Sequence, residues 1–199
     1  RSALGEYSFS AQYLQAPVPL GGGIVKAEWL SYYTPDEKPE KFDTIVQSWD
    51  TANKESELAD YSVCTTWGVK NKNMYLLHVL RKRMSYPDLK RAVVAQAEAW
   101  NARAVLIEDK ASGIQLVQEL RETLSRVKGI KCEGDKLMRM LAQTPEIENG
   151  HLLLPKDAHW LPDYVQELTT FPKGKYDDQV DSTAQALKWI TGEGREPGL

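Results

Sequence analysis

The sequence predicts an α/β domain with a mixed five-stranded sheet and helices on both faces. Three apolar runs of strand-like composition come first, and short apolar runs then alternate with segments of helical periodicity. Of the 199 residues, 42% are hydrophobic and 27% are charged, which is ordinary for a globular domain. This composition excludes a disordered chain and a collagen-like fibre. No apolar run approaches the ~20 residues of a membrane-crossing helix.

The first three strands are expected within residues 42–50, 61–70 and 73–83, which are rich in β-branched and aromatic side chains. A turn around Asn71–Asn73 separates the second strand from the third, and so short a connection is typical of a β-hairpin. These three strands should therefore form an antiparallel meander.

Helices and strands alternate in the remainder of the chain. Pro87 would lie in the first turn of a helix, where proline is tolerated, and the apolar residues after it recur at helical spacing. The short apolar run 104–109 is typical of a buried parallel strand. A fifth strand is expected within 128–134, and helical crossovers should place the last two strands parallel. Further helices are predicted over 113–127, 135–141, 160–171 and 177–192, and an extended segment or small hairpin over 148–155.

The first 40 residues differ from the rest of the chain. They are rich in proline, contain the run Gly21–Gly23 and have no long apolar period. We interpret residues 1–40 as a linker or docking arm, with a short strand or helix around Ile24 to Leu30. The main domain is expected over residues 41–195.

Charge is distributed unevenly along the chain. The net charge is −3, but residues 70–139 contain 15 lysines and arginines against 8 acidic residues. The remaining residues contain 10 basic and 20 acidic side chains. A basic middle segment suits a polyanionic partner, whereas ordinary solvated surface charge explains these counts equally well.

Acidic residues occur where predicted elements end or begin. In open α/β sheets, binding sites form beyond the carboxyl ends of the strands. Each acid alone has a simpler explanation as a helix cap or the start of a loop. Together they favour a site for Mg²⁺ or Mn²⁺, because clustered carboxylates repel one another unless a divalent cation compensates them. These residues are Asp50 after the first strand, Glu108 and Asp109 after the fourth, and Asp177, Asp178 and Asp181 at the last helix.

Six short stretches of the sequence form a characteristic series. They are QSWDTANK at 47–54, DYSVCTTWG at 60–68, VLIEDKASG at 105–113, DKLMR at 135–139, ENGHLLLP at 148–155 and FPKGKYDDQVDSTAQALKW at 171–189. In this order they resemble the C-terminal nuclease domain of the large terminase subunit of tailed phages and prophages. Residues 9–29 also resemble the stretch that joins the packaging ATPase to this nuclease.

The resemblance implies a fold, a reaction and a set of ligands. The fold would be ribonuclease H-like, and the activity would be endonucleolytic cutting of concatemeric viral DNA with two divalent cations, Mg²⁺ or Mn²⁺. Asp50 matches the first-strand metal ligand, and Asp178 and Asp181 match the pair on the last helix. Glu108 and Asp109 both match the fourth-strand acid; strand alternation lets only one of them face the metals, and we prefer Asp109. Asp177 would be a further ligand or a cap.

The resemblance also implies partners. They are double-stranded DNA, an ATPase domain of the same full-length chain joined through residues 1–40, the small terminase subunit and the portal, in the cytoplasm of a bacterial host and without a membrane. Candidate DNA contacts are Lys54, Lys110, Arg81, Lys82, Arg83, Lys136 and Arg139.

Two other functions stay open at this point. One is a phosphotransferase or ATPase of the same fold class, although such relatives have glycine-rich loops after the first-strand acid and Asp50 is followed by Thr51–Asn53. The other is a non-catalytic module that docks other packaging proteins. The presence of every expected acid argues against the second alternative.

Overall fold

The computed structural model describes residues 22–52, 60–110 and 112–192. One seven-stranded sheet runs through these residues, in the order β1-β7-β4-β3-β2-β5-β6. The strands are β1 (Ser31–Tyr33), β2 (Thr44–Asp50), β3 (Ser62–Lys70), β4 (Asn73–Lys82), β5 (Ala104–Glu108), β6 (Val127–Ile130) and β7 (Leu152–Pro155). The α-helices are α1 (Tyr86–Ala99), α2 (Ser112–Arg121), α3 (Lys136–Leu141), α4 (Thr144–Glu148), α5 (Leu161–Thr170) and α6 (Asp178–Ile190).

The five predicted strands form the centre of this sheet in the predicted arrangement. β2, β3 and β4 are antiparallel neighbours, and Asn71 takes the positive φ of 56° that a tight hairpin turn requires. β5 and β6 join beside β2 in parallel orientation through helical crossovers. The predicted mixed α/β class is therefore confirmed.

The sheet has two more strands than the five predicted, and both lie on the β4 side. β7 pairs in parallel with β4 and with β1, whose residues Ser31–Tyr33 align with Leu153–Pro155. The described residues 22–40 thus lie against the main domain, and Val25, Leu30 and Tyr33 are buried. The predicted limit at residue 41 stays a prediction, whereas β1 itself is part of the sheet.

Helices cover both faces of the sheet and form two apolar layers. On one face, helices α3 to α6 pack over β3, β4 and β7 around Trp67, Leu76 and Tyr164. On the other face, α1 and α2 pack over β2, β5 and β6 around Trp49, Val93 and Leu116. Burial on both faces explains why the central strands are apolar nearly throughout. Among the helices described, none is both long and apolar enough to cross a membrane.

Candidate active site

Asp50 and Glu108 end two neighbouring parallel strands. The β2–β5 register pairs Ser48 with Leu106 and Trp49 with Ile107, so the next step brings Asp50 beside Glu108. Residues opposite one another in a ladder point to the same face of the sheet. Both carboxylates therefore lie on the face that α6 covers, since Ser48, two residues before Asp50, is hydrogen-bonded to Ser182 and Gln185 of that helix.

Asp109 lies away from this pair of carboxylates. Its side chain is next to Gly129 of β6, where a Cβ on the glycine would lie 3.6 Å from the carboxyl carbon of Asp109. Its backbone N–H donates to the carbonyl of Ile130 at 2.8 Å and so extends the β5–β6 ladder. From the sequence we preferred Asp109 over Glu108, but the structure brings Glu108 to Asp50. The physical reason is the register of β5 against β2.

Asp178 and Asp181 reach the same edge of the sheet from the first turn of α6. A buried polar contact fixes this helix against β2 and β3: the Ser182 hydroxyl donates to the Ser48 carbonyl at 2.8 Å and lies 2.7 Å from Thr65 Oγ1. Gln185 adds a bond from its amide to Ser48 Oγ at 2.9 Å. Because a buried unpaired hydroxyl or carbonyl is costly, these bonds set the position of the helix along the strands.

A buried carboxylate holds the start of α6. Glu167 of α5 accepts from the backbone N–H and the side-chain amide of Gln179, both at 2.6 Å. Asp177 stands at the N-cap position, but its carboxylate makes no capping hydrogen bond. Glu167 therefore satisfies a helix N-terminal donor in its place and fixes the orientation of Asp178 beside it.

The acidic side chains share one electrostatic environment. Burial raises the pKa of Asp50 well above its usual range, and the charges of Asp181, Asp178 and Glu108 raise it further. Burial, together with the charges of Glu167 and Asp177, raises the pKa of Asp178 to about 6. The pKa of Asp181 is also raised by burial. We call Asp50, Glu108, Asp178 and Asp181 the acidic cluster.

Two basic residues of α3 enter the acidic cluster. The Lys136 ammonium lies 2.5 Å from Asp181 Oδ2 and 2.9 Å from Asp177 Oδ1. The Arg139 guanidinium bridges Asp181 Oδ1 at 2.9 Å and Glu108 Oε1 at 3.3 Å. The sequence analysis proposed both residues as DNA contacts and did not identify their pairing with the acids. Their spacing of three residues puts them on one side of a helix but does not indicate what they contact.

The donor chemistry of the acidic cluster suits a hard divalent cation, because every candidate ligand atom is a carboxylate oxygen. In the described part of the chain, no three Asp, Glu, His or Cys side chains converge in a way that could hold a metal ion. Lys136 and Arg139 hold Asp181 and Glu108 in this arrangement. The chemistry therefore fits Mg²⁺ or Mn²⁺, and the carboxylates must turn toward a common point to bind one.

Aromatic and basic side chains flank the acidic cluster. Arg81 stacks on the rings of Tyr61 at 4.1 Å and Tyr176 at 4.7 Å, and Arg83 lies 4.5 Å from Tyr61. Lys175 lies 5.0 Å from the Tyr176 ring. Arg81 also lies close enough to Asp178 to lower the pKa of that carboxyl, against the larger effect of burial. We call these five residues the arginine–tyrosine cluster.

The remaining predicted DNA contacts are not part of the acidic cluster or the arginine–tyrosine cluster. Lys82, at the end of β4, and Lys110, after β5, are exposed. The Lys110 N–H donates to the Glu108 carbonyl at 2.9 Å, so its backbone borders the acidic cluster. Lys54 lies outside the described residues. Sequence analysis did not identify Tyr61, Tyr176 or Lys175, whose proximity to Arg81 arises only from the fold.

Comparison with known proteins gives one family and a set of similar structures. The sequence profile of the terminase RNaseH-like domain matches residues 47–188. A search of curated proteins finds no match to this chain. Similar folds include the large terminase nuclease domain of Thermus phage P74-26, with a TM-score of 0.60 at 16% identity over 85% of this chain and 94% of that one.

Two further structures have the same degree of similarity. The large terminase nuclease of thermophilic phage G20c with bound cobalt has a TM-score of 0.60 at 17% identity, over 81% of this chain and 93% of that one. The ADP complex of the large terminase from a thermophilic bacteriophage has a TM-score of 0.60 at 15% identity, over 78% of this chain and 41% of that one. The chain thus spans about two fifths of that longer protein.

The family profile covers the strands and helices that form the acidic cluster, from the residues before Asp50 to the last turns of α6. The fold of the similar structures is the mixed α/β sheet described above. The chain therefore belongs to the family of terminase RNase H-like domains, as the order of its sequence motifs predicted.

Proposed function

We propose that this chain is a metal-dependent DNA endonuclease that cuts concatemeric viral DNA during genome packaging. The observation that supports this most directly is the approach of four carboxylates, from two strands and one helix, to one edge of the sheet. Membership of the terminase family and the similarity to a terminase nuclease with bound cobalt support it independently.

The acidic side chains would divide the work of holding cations. Asp50 and Glu108 lie side by side at the ends of neighbouring strands, and Asp178 and Asp181 approach them from the first turn of α6. Two divalent cations, Mg²⁺ or Mn²⁺, would activate a water and stabilise the leaving 3′ oxygen of a phosphodiester. The strands fix the first pair of ligands, and the bonds of Ser182 and Gln185 fix the second pair relative to them.

Basic side chains would hold the DNA backbone beside these carboxylates. Arg83 and Lys175 belong to the arginine–tyrosine cluster, and Lys136 and Arg139 belong to α3. Contacts to phosphate position the duplex without reading its sequence. The domain alone should therefore cut with little sequence preference.

The full-length protein would supply the other parts of packaging. We propose that an ATPase domain precedes residues 1–40 in the same chain, with residues 41–195 as the nuclease. Double-stranded DNA would be the substrate, and the small terminase subunit and the portal would position the cut, in the cytoplasm of a bacterial host. Each of these follows from the resemblance to large terminases.

Incubation of supercoiled plasmid with the chain tests the proposal. In Mn²⁺ we expect conversion to nicked and linear DNA, and in EDTA no conversion. Asp50→Asn should abolish cleavage, whereas Asp163→Asn, which removes an exposed carboxylate from the first turn of α5, should cleave like the wild type. Cleavage by Asp50→Asn, or equal cleavage in EDTA, would contradict the proposal.

A further inference from the structure

We propose that Lys136 and Arg139 are an internal counter-ion of the acidic cluster and compete with divalent cations for its carboxylates. This inference rests on the proposed function, because it concerns the same acids. It goes further by naming side chains that must release Asp181 and Glu108 before a metal can be held.

Asp181 is the residue on which the competition centres. Both of its carboxylate oxygens contact a cation, Oδ2 the ammonium of Lys136 and Oδ1 the guanidinium of Arg139. Its side chain is only 7% exposed, so water screens these contacts little. A divalent ion held by Asp181 would have to use one of these two oxygens. Such an ion would lie next to a positive side chain that already occupies the same oxygen.

Glu108 is also held by an ion pair with Arg139. The Arg139 guanidinium reaches Glu108 Oε1 at 3.3 Å with one amino group while the other contacts Asp181. The planar fork of arginine can span two carboxylates in this way, whereas lysine offers a single point charge. Arg139 therefore links a strand ligand to a helix ligand and sets their separation without a metal.

Helix α3 is anchored so that it presents these cations. The Asp135 carboxylate accepts from the Met138 N–H at 2.8 Å and caps the helix, and Met140 is fully buried in the apolar layer. Lys136 and Arg139 are three residues apart and so share one side of the helix. Within the described residues, the ion pairs from this helix reach Asp177, Asp181 and Glu108 but not Asp50 or Asp178.

This distribution predicts an order of events. Asp50 and Asp178, which make no ion pair with α3 in the described part of the chain, would take the first cation, and Asp181 and Glu108 would join only when Lys136 and Arg139 withdraw. The two side chains would thus lower the affinity for metal and stabilise the fold without it. The same substitution should therefore affect the two properties in opposite directions.

Direct titration of Mn²⁺ onto the chain, by calorimetry or by the electron paramagnetic resonance of free Mn²⁺, tests the competition. Lys136→Met keeps the aliphatic stem, and Arg139→Lys keeps the charge but cannot span Glu108 and Asp181. We expect each variant to bind Mn²⁺ about fivefold more tightly or better, in the range of ordinary coupling between sites. Lys131→Met removes a charge one residue after β6 without touching these ion pairs, and its affinity should match the wild type.

Melting temperatures provide the second readout. Lys136→Met should melt below the wild type in EDTA, because Asp177 loses its ion pair and Asp181 keeps only the one with Arg139. This deficit should shrink in saturating Mn²⁺. Lys90→Met breaks the exposed pair with Glu119 on the α1 side, and its effect should be the same in EDTA and Mn²⁺. Unchanged or weaker Mn²⁺ binding in both α3 variants would overturn the inference while leaving the metal site intact. A wild-type chain that binds no Mn²⁺ would overturn the proposed function as well.

Discussion

Glu108 and Asp109 are adjacent in the chain but face opposite sides of β5. The strand is apolar from Ala104 to Ile107 because both of its faces are buried, so its sequence has no alternation that would reveal the orientation of either acid. Only the register against β2 places Glu108, and not Asp109, beside Asp50. Sequence reasoning could therefore find the pair of candidates but not which of them lies beside Asp50.

Substitution of each acid by its amide separates their roles. Even residues that only orient a metal ligand are worth about 10–100-fold in activity, so Glu108→Gln should reduce plasmid cleavage by about 100-fold or more. Asp109→Asn, whose side chain lies beside Gly129, should stay near wild-type activity. The reverse ranking in a Mn²⁺-dependent plasmid assay would move the ligand to the other face of β5.

The raised pKa of Asp178 predicts how stability depends on pH in the metal-free chain. Burial raises this pKa from 3.8 to about 6, so the folded state keeps a proton that the unfolded state has released over that interval. The contribution of Asp178 to stability is fully present below about pH 4 and is lost as the pH rises through about 6. Denaturant unfolding in EDTA should show this fall, and Asp178→Asn should flatten it relative to Asp163→Asn. Equal slopes in the two variants would count against the shift.

At the scale of elements, α6 determines the geometry of the acidic cluster. Its helical pattern is clear in the sequence, and the predicted helix agrees with Asp178–Ile190. The sequence does not reveal that Gln179, Ser182, Thr183 and Gln185 are buried, because polar residues at these positions are typical of a solvated face. The pairing of β1 with β7 was equally hard to predict, since the two strands are more than 100 residues apart in the sequence.

Ser182→Ala tests the polar contact between α6 and the sheet. In the wild type, Trp67 donates to Thr65, which lies 2.7 Å from Ser182, and Ser182 donates to the Ser48 carbonyl. Removal of the hydroxyl leaves buried partners unpaired, which should cost about 1–3 kcal/mol of unfolding free energy. The exposed Ser125→Ala should change stability by no more than about 0.5 kcal/mol. A similarly small change in Ser182→Ala, measured by urea unfolding, would show that the contact does not fix the helix.

At the scale of the whole molecule, basic residues of the middle segment lie around the acidic cluster. Basic residues from the middle segment, Arg81 and Arg83 of the arginine–tyrosine cluster and Lys136 and Arg139 of α3, surround carboxylates contributed by three separate elements. The sequence predicted both a polyanionic partner and a cation site. The fold brings the basic residues and the carboxylates behind these two predictions to one edge of the sheet.

DNA binding should accordingly depend on salt. Each lysine or arginine that neutralises a phosphate adds about 1 to the slope of log affinity against log salt. Arg83→Ala should reduce this slope by about 1 in a fluorescence titration of duplex DNA. Lys70 lies at the end of β3 that is away from the acidic cluster, where it pairs with Asp43, and Lys70→Ala should leave the slope unchanged. A slope that is flat in the wild type would contradict an electrostatic DNA interface.

The position of a bound divalent cation would show which carboxylates hold it. Crystals of the chain grown with Mn²⁺ permit the ion to be located by its anomalous scattering. We expect peaks bounded by Asp50, Glu108, Asp178 and Asp181, with Lys136 and Arg139 withdrawn from Asp181. Peaks beside Asp109, or a chain saturated with Mn²⁺ and no peak at the acidic cluster, would contradict it.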